Sequence, residues 1–215
     1  MEAVLFDMDG LLVDSEKIWF TVETEVMERL GGRWGHGDQE RLVGGSMPAA
    51  VAYMIEVAGG GDPDEVAAWI LEGMIDRLSG GVEMMPGAAE LLAGVRRAGL
   101  PTALVTSSVR PIAEACLDGI GRHHFDHVVT GDEVERPKPD PEPYLTATRL
   151  LGVDPARCVV LEDSPNGVTA ATAAGCRVVA VPSVLPIPAA PGRLVVGSLL
   201  EVDVEVLREL SAREV

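Results

Sequence analysis

The 215-residue chain has few cysteines and little positive charge. Its three cysteines, Cys116, Cys158 and Cys176, form no Cys-x-x-Cys pair, which argues against a disulfide framework or a thiolate metal site. Only 17 lysines and arginines accompany 34 aspartates and glutamates, which gives a net charge of -17. Such a surface repels nucleic-acid phosphates and anionic membranes. We therefore expect a small-molecule ligand, with no nucleic-acid and no membrane partner.

Long apolar segments and targeting signals are also missing. No run approaches the roughly 20 apolar residues that a membrane span requires, and the first seven residues contain neither a basic segment nor a signal peptide. These absences predict a soluble, cytoplasmic protein. The 47% hydrophobic content is enough for one core and a smaller accessory domain. We expect a monomer or a weak homodimer.

Short apolar runs alternate with helical patterns over most of the chain. The runs that predict strands are at residues 3–6, 102–105, 158–161 and 177–181, with a further strand at Val128 and Val129. Helix starts are predicted where a capping side chain precedes a proline, at Asp140-Pro141, Asp154-Pro155 and Ser164-Pro165. This alternation predicts an α/β fold with a Rossmann-like, mostly parallel sheet flanked by helices.

Residues 15–81 have a different pattern, with three helical periodicities and no predicted strand. We predict that they form an inserted all-helical domain, and that residues 1–14 and 82–215 form the α/β core. The proline-rich stretch 182–191 predicts an irregular connection, followed by a last helix near residues 202–210.

Two acidic residues follow the first predicted strand. Asp7 and Asp9 are spaced i and i+2 after Phe6, so an extended chain directs both side chains to one side. The carboxyl end of a strand is where open α/β sheets bind ligands. Two close carboxylates need a cation, and oxygen ligands suit Mg²⁺. Aspartate is also common in turns, so this pair alone leaves a structural role open.

Three further segments place polar side chains at strand ends or in a rigid loop. Thr106, Ser107 and Ser108 follow the second run and offer hydroxyl and N–H groups to a phosphate, although helix capping fits equally well. Lys138 lies between two prolines, which favours a positioned charge over a solvated one. Glu162 and Asp163 close another buried run, where acids are costly unless they cap a helix or hold a metal.

Taken in order, these segments resemble the haloacid dehalogenase superfamily. The resemblance rests on DMDGLLVDSE at residues 7–16, TSS at 106–108, KPDP at 138–141 and EDSPNGVTAATAAG at 162–175. The helical insert resembles the C1-type cap of this superfamily. The likeness is to the beta-phosphoglucomutase-like branch, which also contains sugar phosphatases and pseudouridine-5'-phosphatase.

The resemblance implies a magnesium-dependent phosphatase and a role for each motif residue. It implies that Asp7 is the nucleophile, that Asp9 is the general acid and base, and that Thr106 and Lys138 bind the phosphoryl group. The implied Mg²⁺ ligands are Asp7, the Asp9 carbonyl and Asp163, with Glu162 as a direct or water-mediated ligand. The expected substrate-binding residues are Trp19, Gly45, Ser46, Met47, Ser107, Ser108 and Arg110.

Three functions remain open at this point. The first is hydrolysis of a small phosphorylated metabolite, such as a sugar, polyol or nucleoside phosphate. The second is a phosphosugar mutase, but the mutases of this superfamily have a histidine and an arginine where this chain has Trp19 and Met47. The third is a non-enzymatic binding protein, which the intact acids and Lys138 disfavour. Dehalogenases lack an equivalent of Asp9, so the resemblance favours phosphoryl transfer.

Overall fold

The protein, seen in a computed structural model that describes residues 1–212, is built on a six-stranded sheet. The strands are β1 (Ala3–Phe6), β2 (Thr102–Val105), β3 (His127–Val129), β4 (Cys158–Glu162), β5 (Arg177–Ala180) and β6 (Arg193–Val195). Their order is β3-β2-β1-β4-β5-β6, and every neighbouring pair is parallel. The predicted α/β class with a mostly parallel sheet is confirmed.

Nine α-helices lie within the described residues. They are α1 (Glu16–Arg29), α2 (His36–Leu42), α3 (Met47–Ala58), α4 (Pro63–Leu78), α5 (Ala88–Arg97), α6 (Arg110–Ile120), α7 (Glu142–Leu151), α8 (Pro165–Ala173) and α9 (Val204–Ala212). Residues of α5, α6 and α9 pack on one face of the sheet, and residues of α7 and α8 pack on the other. No helix in residues 1–212 is long and apolar enough to cross a membrane.

The central strand shows why the predicted strands are continuous apolar runs. Val4 and Phe6 join the hydrophobic cluster on one face of the sheet, whereas Ala3 and Leu5 join the cluster on the other. Successive side chains of a strand point to opposite faces. Because helices cover both faces, every position of β1 is buried and must be apolar.

At two of the predicted helix starts, a side chain accepts a hydrogen bond from a backbone N–H of the first turn. The Ser164 hydroxyl accepts a hydrogen bond from the Gly167 N–H at 3.1 Å and starts α8. Asp140 accepts from the Glu142 N–H at 2.9 Å where α7 starts. Asp154 also caps, but the helix after it is one 3₁₀ turn over residues 155–157, because the chain enters β4 directly afterwards. The helical turn therefore starts where it was predicted, at Asp154-Pro155.

Residues 16–78 form helices and no strand, as the sequence pattern indicates. The segment has four helices, whereas three were predicted. α1, α3 and α4 were predicted, and α1 packs on α4 through apolar residues such as Val22, Ile70 and Met74. The unpredicted α2 is seven residues long and has no buried residue, so it carries no apolar periodicity. α4 also packs against α6, so one hydrophobic cluster joins the helical segment to the sheet domain.

Two adjacent stretches of chain connect the helical segment to the sheet. Val13 pairs with Met84 in an antiparallel bridge. The Asp14 N–H donates to the Glu83 carbonyl at 2.9 Å, and the Met85 N–H donates to the Leu12 carbonyl at 2.9 Å. The chain therefore leaves and re-enters the sheet domain at one place, beside the end of β1.

Candidate active site

The carboxyl ends of β1, β2 and β4 lie side by side and bring the sequence motifs together. Asp7 and Asp9 follow β1, Thr106 follows β2, and Asp163 follows β4. β1 pairs with both β2 and β4, so residues far apart in sequence meet at one edge of the sheet. The motifs were expected to share such an edge.

Lys138 is the buried cation of the site and is 4% exposed. Its Nζ donates to Asp7 Oδ1 at 2.6 Å, to Glu162 Oε1 at 2.6 Å and to the Val105 carbonyl at 2.9 Å. Burial alone lowers the pKa of Lys138, but the carboxylates of Asp7 and Glu162 outweigh burial and raise it above its ordinary value. The ammonium group is therefore permanently charged and held against Asp7.

Three buried acids form a compact cluster beside this lysine. Asp7, Glu162 and Asp163 each place a carboxylate oxygen within 4.8 Å of the others. Burial raises the pKa of Asp7 well above its usual range despite the attraction of Lys138, and burial followed by repulsion from Asp7 does the same for Asp163. Such concentrated negative charge is stabilised by a cation, and an all-oxygen donor set fits Mg²⁺.

Glu162 makes more protein contacts than the other two acids. Its Oε1 accepts from Lys138 and from the Tyr144 hydroxyl at 2.6 Å, and its Oε2 accepts from the backbone N–H groups of Asp163 and Ser164. Its carboxylate lies so close to the start of α8 that a Cβ on Gly167 would be 1.7 Å from Oε1. Oε1 of this expected direct or water-mediated ligand is thus occupied by Lys138 and Tyr144, and Oε2 is occupied by donors at the start of α8.

Asp163 has a freer carboxylate at the end of β4. Its Oδ2 accepts a hydrogen bond from the Ser183 hydroxyl at 2.5 Å. Gly10, with a φ of +75°, passes so close that a Cβ there would be 2.2 Å from the same oxygen. Only glycine fits this backbone conformation and this approach. The loop after Asp9 therefore packs directly on Asp163.

Four side-chain donors hold the carboxylate of Asp9. Its Oδ1 accepts from the Ser15 hydroxyl at 2.7 Å and from Trp19 Nε1 at 3.1 Å. Its Oδ2 accepts from the Ser108 hydroxyl at 2.8 Å and from Thr106 Oγ1 at 3.3 Å. Two of these donors come from the stretch that begins the helical segment and two follow β2. Asp9 is therefore oriented by both parts of the chain at once.

A cleft lies between these strand ends and the helical segment. It is lined by Asp7, Asp9, Thr106 and Asp163, and by six of the seven residues predicted to bind substrate: Trp19, Gly45, Ser46, Met47, Ser107 and Ser108. Arg110, the seventh, is not among the lining residues. Its guanidinium donates to Glu114, to the Val128 carbonyl and to Glu133, none of which lines the cleft.

Sequence reasoning missed several side chains at this site. Glu16, Glu23 and Gln39 also line the cleft. Tyr144 lies on the buried face of α7 and looks like an ordinary core residue in the sequence. Ser15 and Glu16 were within the recognised DMDGLLVDSE motif, so a signal for these two existed. No motif marked Glu23 or Gln39, because their neighbours in the cleft are distant in sequence.

The helical segment contacts the sheet loops directly across the cleft. The Ser107 hydroxyl donates to the Gly44 carbonyl at 3.2 Å, and Asn166 Nδ2 donates to the Val43 carbonyl at 3.1 Å. Gly44 has a φ of +68°, and a Cβ there would be 2.4 Å from Ser164 Oγ. The helical segment is therefore closed over the strand ends in this structure.

Comparison with known proteins agrees with this arrangement. Hexitol phosphatase A of Escherichia coli (strain K12) is 37% identical over 183 residues, 82% of this chain and 81% of that protein. Hexitol phosphatase B of the same strain is 32% identical over 216 residues, 99% of this chain and 95% of that protein. A variant of CbbY from Rhodobacter sphaeroides, solved in complex with xylulose-(1,5)bisphosphate, has a TM-score of 0.86 at 28% identity and covers 96% of this chain and 99% of that one.

The family assignment follows from these matches. The family model described as haloacid dehalogenase-like hydrolase matches residues 1–175. That range includes β1, β2, β4 and each of the motif residues that meet at the strand ends. This chain belongs to the haloacid dehalogenase-like hydrolase family, as its motifs indicate, and is a hydrolase.

Proposed function

We propose that this chain is a magnesium-dependent phosphatase that hydrolyses a small phosphomonoester through an aspartyl-phosphate intermediate. The observation that carries the proposal is the buried group of Asp7, Lys138 and Asp163, in which Lys138 Nζ is 2.6 Å from Asp7 Oδ1. It combines a carboxylate nucleophile, a fixed cation and a second acid suited to a metal. The names of the relatives, two hexitol phosphatases, support a phosphorylated sugar or polyol as substrate.

Mg²⁺ is the proposed cofactor, held by Asp7, Asp163 and the backbone carbonyl of Asp9. The support for it is the proximity of the two buried carboxylates, whose pKa values are raised first by burial and then by repulsion from neighbouring acids. Bound Mg²⁺ supplies a positive charge that attracts the phosphoryl group and offsets the charge of the transition state. Lys138 adds the second positive charge at the same place.

Asp7 is the proposed nucleophile. One of its carboxylate oxygens attacks phosphorus while the bond from phosphorus to the leaving oxygen breaks, which gives an aspartyl phosphate and an alcohol. Lys138 opposes the effect of burial on the pKa of Asp7 and stays beside the transferring group throughout. Water then attacks the same phosphorus, which releases inorganic phosphate and restores the Asp7 carboxylate.

Asp9 is the proposed general acid and base. As the first bond breaks, protonated Asp9 gives its proton to the leaving oxygen, and its carboxylate then takes a proton from the attacking water. The hydroxyls of Ser15 and Ser108 and the Trp19 indole hold this carboxylate in one orientation. Thr106 and Ser107 are proposed to bind the phosphoryl oxygens, because both line the cleft beside Asp9.

The helical segment is proposed to act as a cap. In this proposal residues 15–81 form the cap domain, and residues 1–14 and 82–215 form the catalytic core. The paired connections at Val13 and Met84 lie between the helical segment and the sheet, so rotation there moves α1 to α4 relative to the strand ends. Closure excludes bulk water and completes the set of donors to Asp9.

A phosphosugar mutase is the alternative within the same chemistry. It would pass the phosphoryl group from Asp7 to a second sugar hydroxyl rather than to water. The cleft offers Trp19 and Met47 where the sequence comparison with mutases expects a histidine and an arginine. Trp19 is engaged with Asp9, and Met47 is apolar, so neither supplies a cation for a second phosphate. These residues favour the phosphatase.

The test is phosphate release from sugar, polyol and nucleoside monophosphates, with Mg²⁺ and after its removal by a chelator. We expect release only with Mg²⁺, and no release above background from Asp7→Asn. Asp118→Asn, at an exposed position of α6, is the matched control and should keep native activity. Absence of release from every ester in the presence of Mg²⁺, or native activity in Asp7→Asn, would overturn the proposal.

A further inference from the structure

The helical side of the cleft has a chemistry different from that of the strand side. Glu16 and Glu23 come from α1 and Gln39 comes from α2, and all three line the cleft with Trp19. None of the three enters the proposed steps of phosphoryl transfer. They are therefore available to the part of the substrate that leaves as the alcohol.

Positive charge is confined to the phosphoryl end of the cleft. Within residues 1–212, no lysine, arginine or histidine is among the residues that line it. Lys138 lies just beneath, with its Nζ bound to Asp7, Glu162 and the Val105 carbonyl, so it serves only the strand end. A second phosphate on the substrate would meet the carboxyl groups of Glu16 and Glu23 instead of a cation.

Glu23 is a buried polar group with unused hydrogen-bonding capacity. Its residue is 4% exposed, and its Oε2 accepts from Trp34 Nε1 at 3.1 Å. Its Oε1 has no hydrogen-bond partner in the described part of the chain, although the residue lines the cleft. Burial raises the pKa of Glu23 to about 8, so at neutral pH it is largely protonated and can donate as well as accept.

Gln39 and Glu16 form a second hydrogen-bonding group next to Glu23. Gln39 Nε2 donates to the Glu16 carbonyl at 3.0 Å and to Glu16 Oε2 at 3.2 Å. This pair connects α1 to α2 and fixes the Glu16 side chain at the cleft. Carboxyl and amide groups placed together accept from and donate to hydroxyl groups, each of which is both donor and acceptor.

We propose that Glu16, Glu23 and Gln39 form a leaving-group subsite that selects a neutral polyhydroxylated alcohol and rejects substrates with a second phosphate. The inference rests on the proposed phosphatase function and narrows it to monophosphates of sugars or sugar alcohols. Hydroxyl groups pair with the Glu23 carboxyl oxygen that accepts no hydrogen bond from a described residue, whereas a second phosphate would lose its hydration there with no cation to pair with. In this respect the subsite is unsuited to a bisphosphate such as the one bound to the CbbY variant.

The test compares three substrates under the same Mg²⁺ conditions: glucitol 6-phosphate, glucitol 1,6-bisphosphate and p-nitrophenyl phosphate. We expect kcat/KM for the monophosphate to exceed that for the bisphosphate by about 10-fold or more, because the second phosphate would be desolvated in a cleft without a counter-ion for it. In Glu23→Leu and Gln39→Leu, the ratio of kcat/KM for glucitol 6-phosphate to that for p-nitrophenyl phosphate should fall about 10-fold. The change should appear mainly as a raised KM for the hexitol ester.

Glu25→Gln is the matched control, because Glu25 lies on the same helix but pairs with Arg77 away from the cleft. This variant should leave unchanged the kcat/KM ratio of monophosphate to bisphosphate and the ratio of glucitol 6-phosphate to p-nitrophenyl phosphate. Glu23→Gln, which keeps the volume of the side chain, replaces Glu23→Leu if that variant does not fold, and it should lower the same ratio to a smaller extent. Circular dichroism establishes folding for each variant.

The outcomes separate this inference from the proposed function. No Mg²⁺-dependent hydrolysis of any of the three esters would overturn the phosphatase itself. Hydrolysis of p-nitrophenyl phosphate together with equal kcat/KM values for monophosphate and bisphosphate would overturn only the subsite. Equal losses on the hexitol ester and p-nitrophenyl phosphate in both Glu23→Leu and Gln39→Leu would also overturn it, since these side chains would then act on the phosphoryl end or on folding.

Discussion

Buried carboxyl groups have two different roles in this molecule, and the number of donors around each decides which. Glu162 is completely buried but accepts hydrogen bonds from Lys138, Tyr144 and two backbone N–H groups. Glu23 is 4% exposed and has one indole donor, from Trp34. A buried carboxylate that lacks donors is costly in its ionised form. Glu162 therefore positions a cation, whereas Glu23 is a proton-binding group.

This difference predicts that Glu23 makes the free energy of unfolding depend on pH. Burial raises its pKa from 4.5 to about 8, partly offset by the Trp34 hydrogen bond and increased by Glu16. Between these values the folded protein holds a proton that the unfolded chain has released. The contribution of Glu23 to the free energy of unfolding is therefore greatest below pH 4.5, falls as the pH rises to about 8, and is constant above.

Glu23→Gln removes this pH dependence. Relative to native protein, the variant should gain an unfolding free energy on the order of 3 kcal/mol between pH 5 and pH 8. Urea denaturation at the two pH values measures the change. Glu25→Gln, at an exposed position of the same helix, should change the unfolding free energy by the same amount at pH 5 and at pH 8. A Glu23→Gln difference that is the same at pH 5 and pH 8 would show that Glu23 is ionised in the folded protein.

The candidate site could be predicted only where a motif carries the information. Asp7, Asp9 and Asp163 each follow a recognisable apolar strand, and Lys138 lies between prolines, so their convergence followed from the sequence. The hydrogen bond from the Tyr144 hydroxyl to Glu162 could not be predicted, because a buried tyrosine on an apolar helix face looks like an ordinary core residue. Arg110 was expected to bind substrate, but its guanidinium pairs with acids outside the cleft.

At the scale of elements, the start of α8 shows how closely a helix can pack against a residue of the site. Its N-terminal backbone lies against the Glu162 carboxylate, and a Cβ on Gly167 would be 1.7 Å from Oε1. Gly94 in α5 is also helical, but there a Cβ would be an ordinary 3.6 Å from Val204. In an exposed helix, alanine is favoured over glycine by about 1 kcal/mol. The two helices should therefore respond to the same substitution in opposite directions.

We expect Gly167→Ala to lower the unfolding free energy by about 2 kcal/mol or more, since the overlap forces Glu162 and Lys138 to move. We expect Gly94→Ala to raise it by about 0.5 kcal/mol. Chemical denaturation measures both, and phosphate release should fall only in Gly167→Ala. Equal stability of the two variants would mean that Glu162 does not pack against α8 as described.

Elements were predictable in proportion to how much apolar surface they bury. β1, β2, β4 and β5 are buried on both faces and therefore appear as apolar runs. β6 has three half-buried residues, and α2 has no buried residue, so neither leaves a hydrophobic pattern in the sequence. Both elements are held by their neighbours: β6 pairs with β5, and α2 is joined to α1 through Gln39. Tertiary contacts that join distant residues are not visible in local periodicity.

At the scale of the whole molecule, the loop that joins α2 to α3 brings the helical segment onto the sheet domain. The Gly44 carbonyl accepts from Ser107, and the Val43 carbonyl accepts from Asn166. Gly44 is the point of closest approach, because a Cβ there would be 2.4 Å from Ser164 Oγ. If closure of the helical segment assembles the donors around Asp9, an obstacle at Gly44 should reduce catalysis without any change in the chemical groups.

Gly44→Ala tests this expectation, and Gly59→Ala is its control. Both glycines have a left-handed φ, +68° and +78°, so the backbone strain of an added Cβ is similar, but nothing lies within 4 Å of a Cβ at Gly59. We expect both variants to lose about 1 kcal/mol of stability from that strain. Only Gly44→Ala should also lose about 10-fold or more in kcat/KM for a phosphomonoester, because incomplete closure misplaces the groups that orient Asp9. Equal kcat/KM values in the two variants would show that the contact at Gly44 is not part of the reactive arrangement, and that the cleft works with the helical segment open.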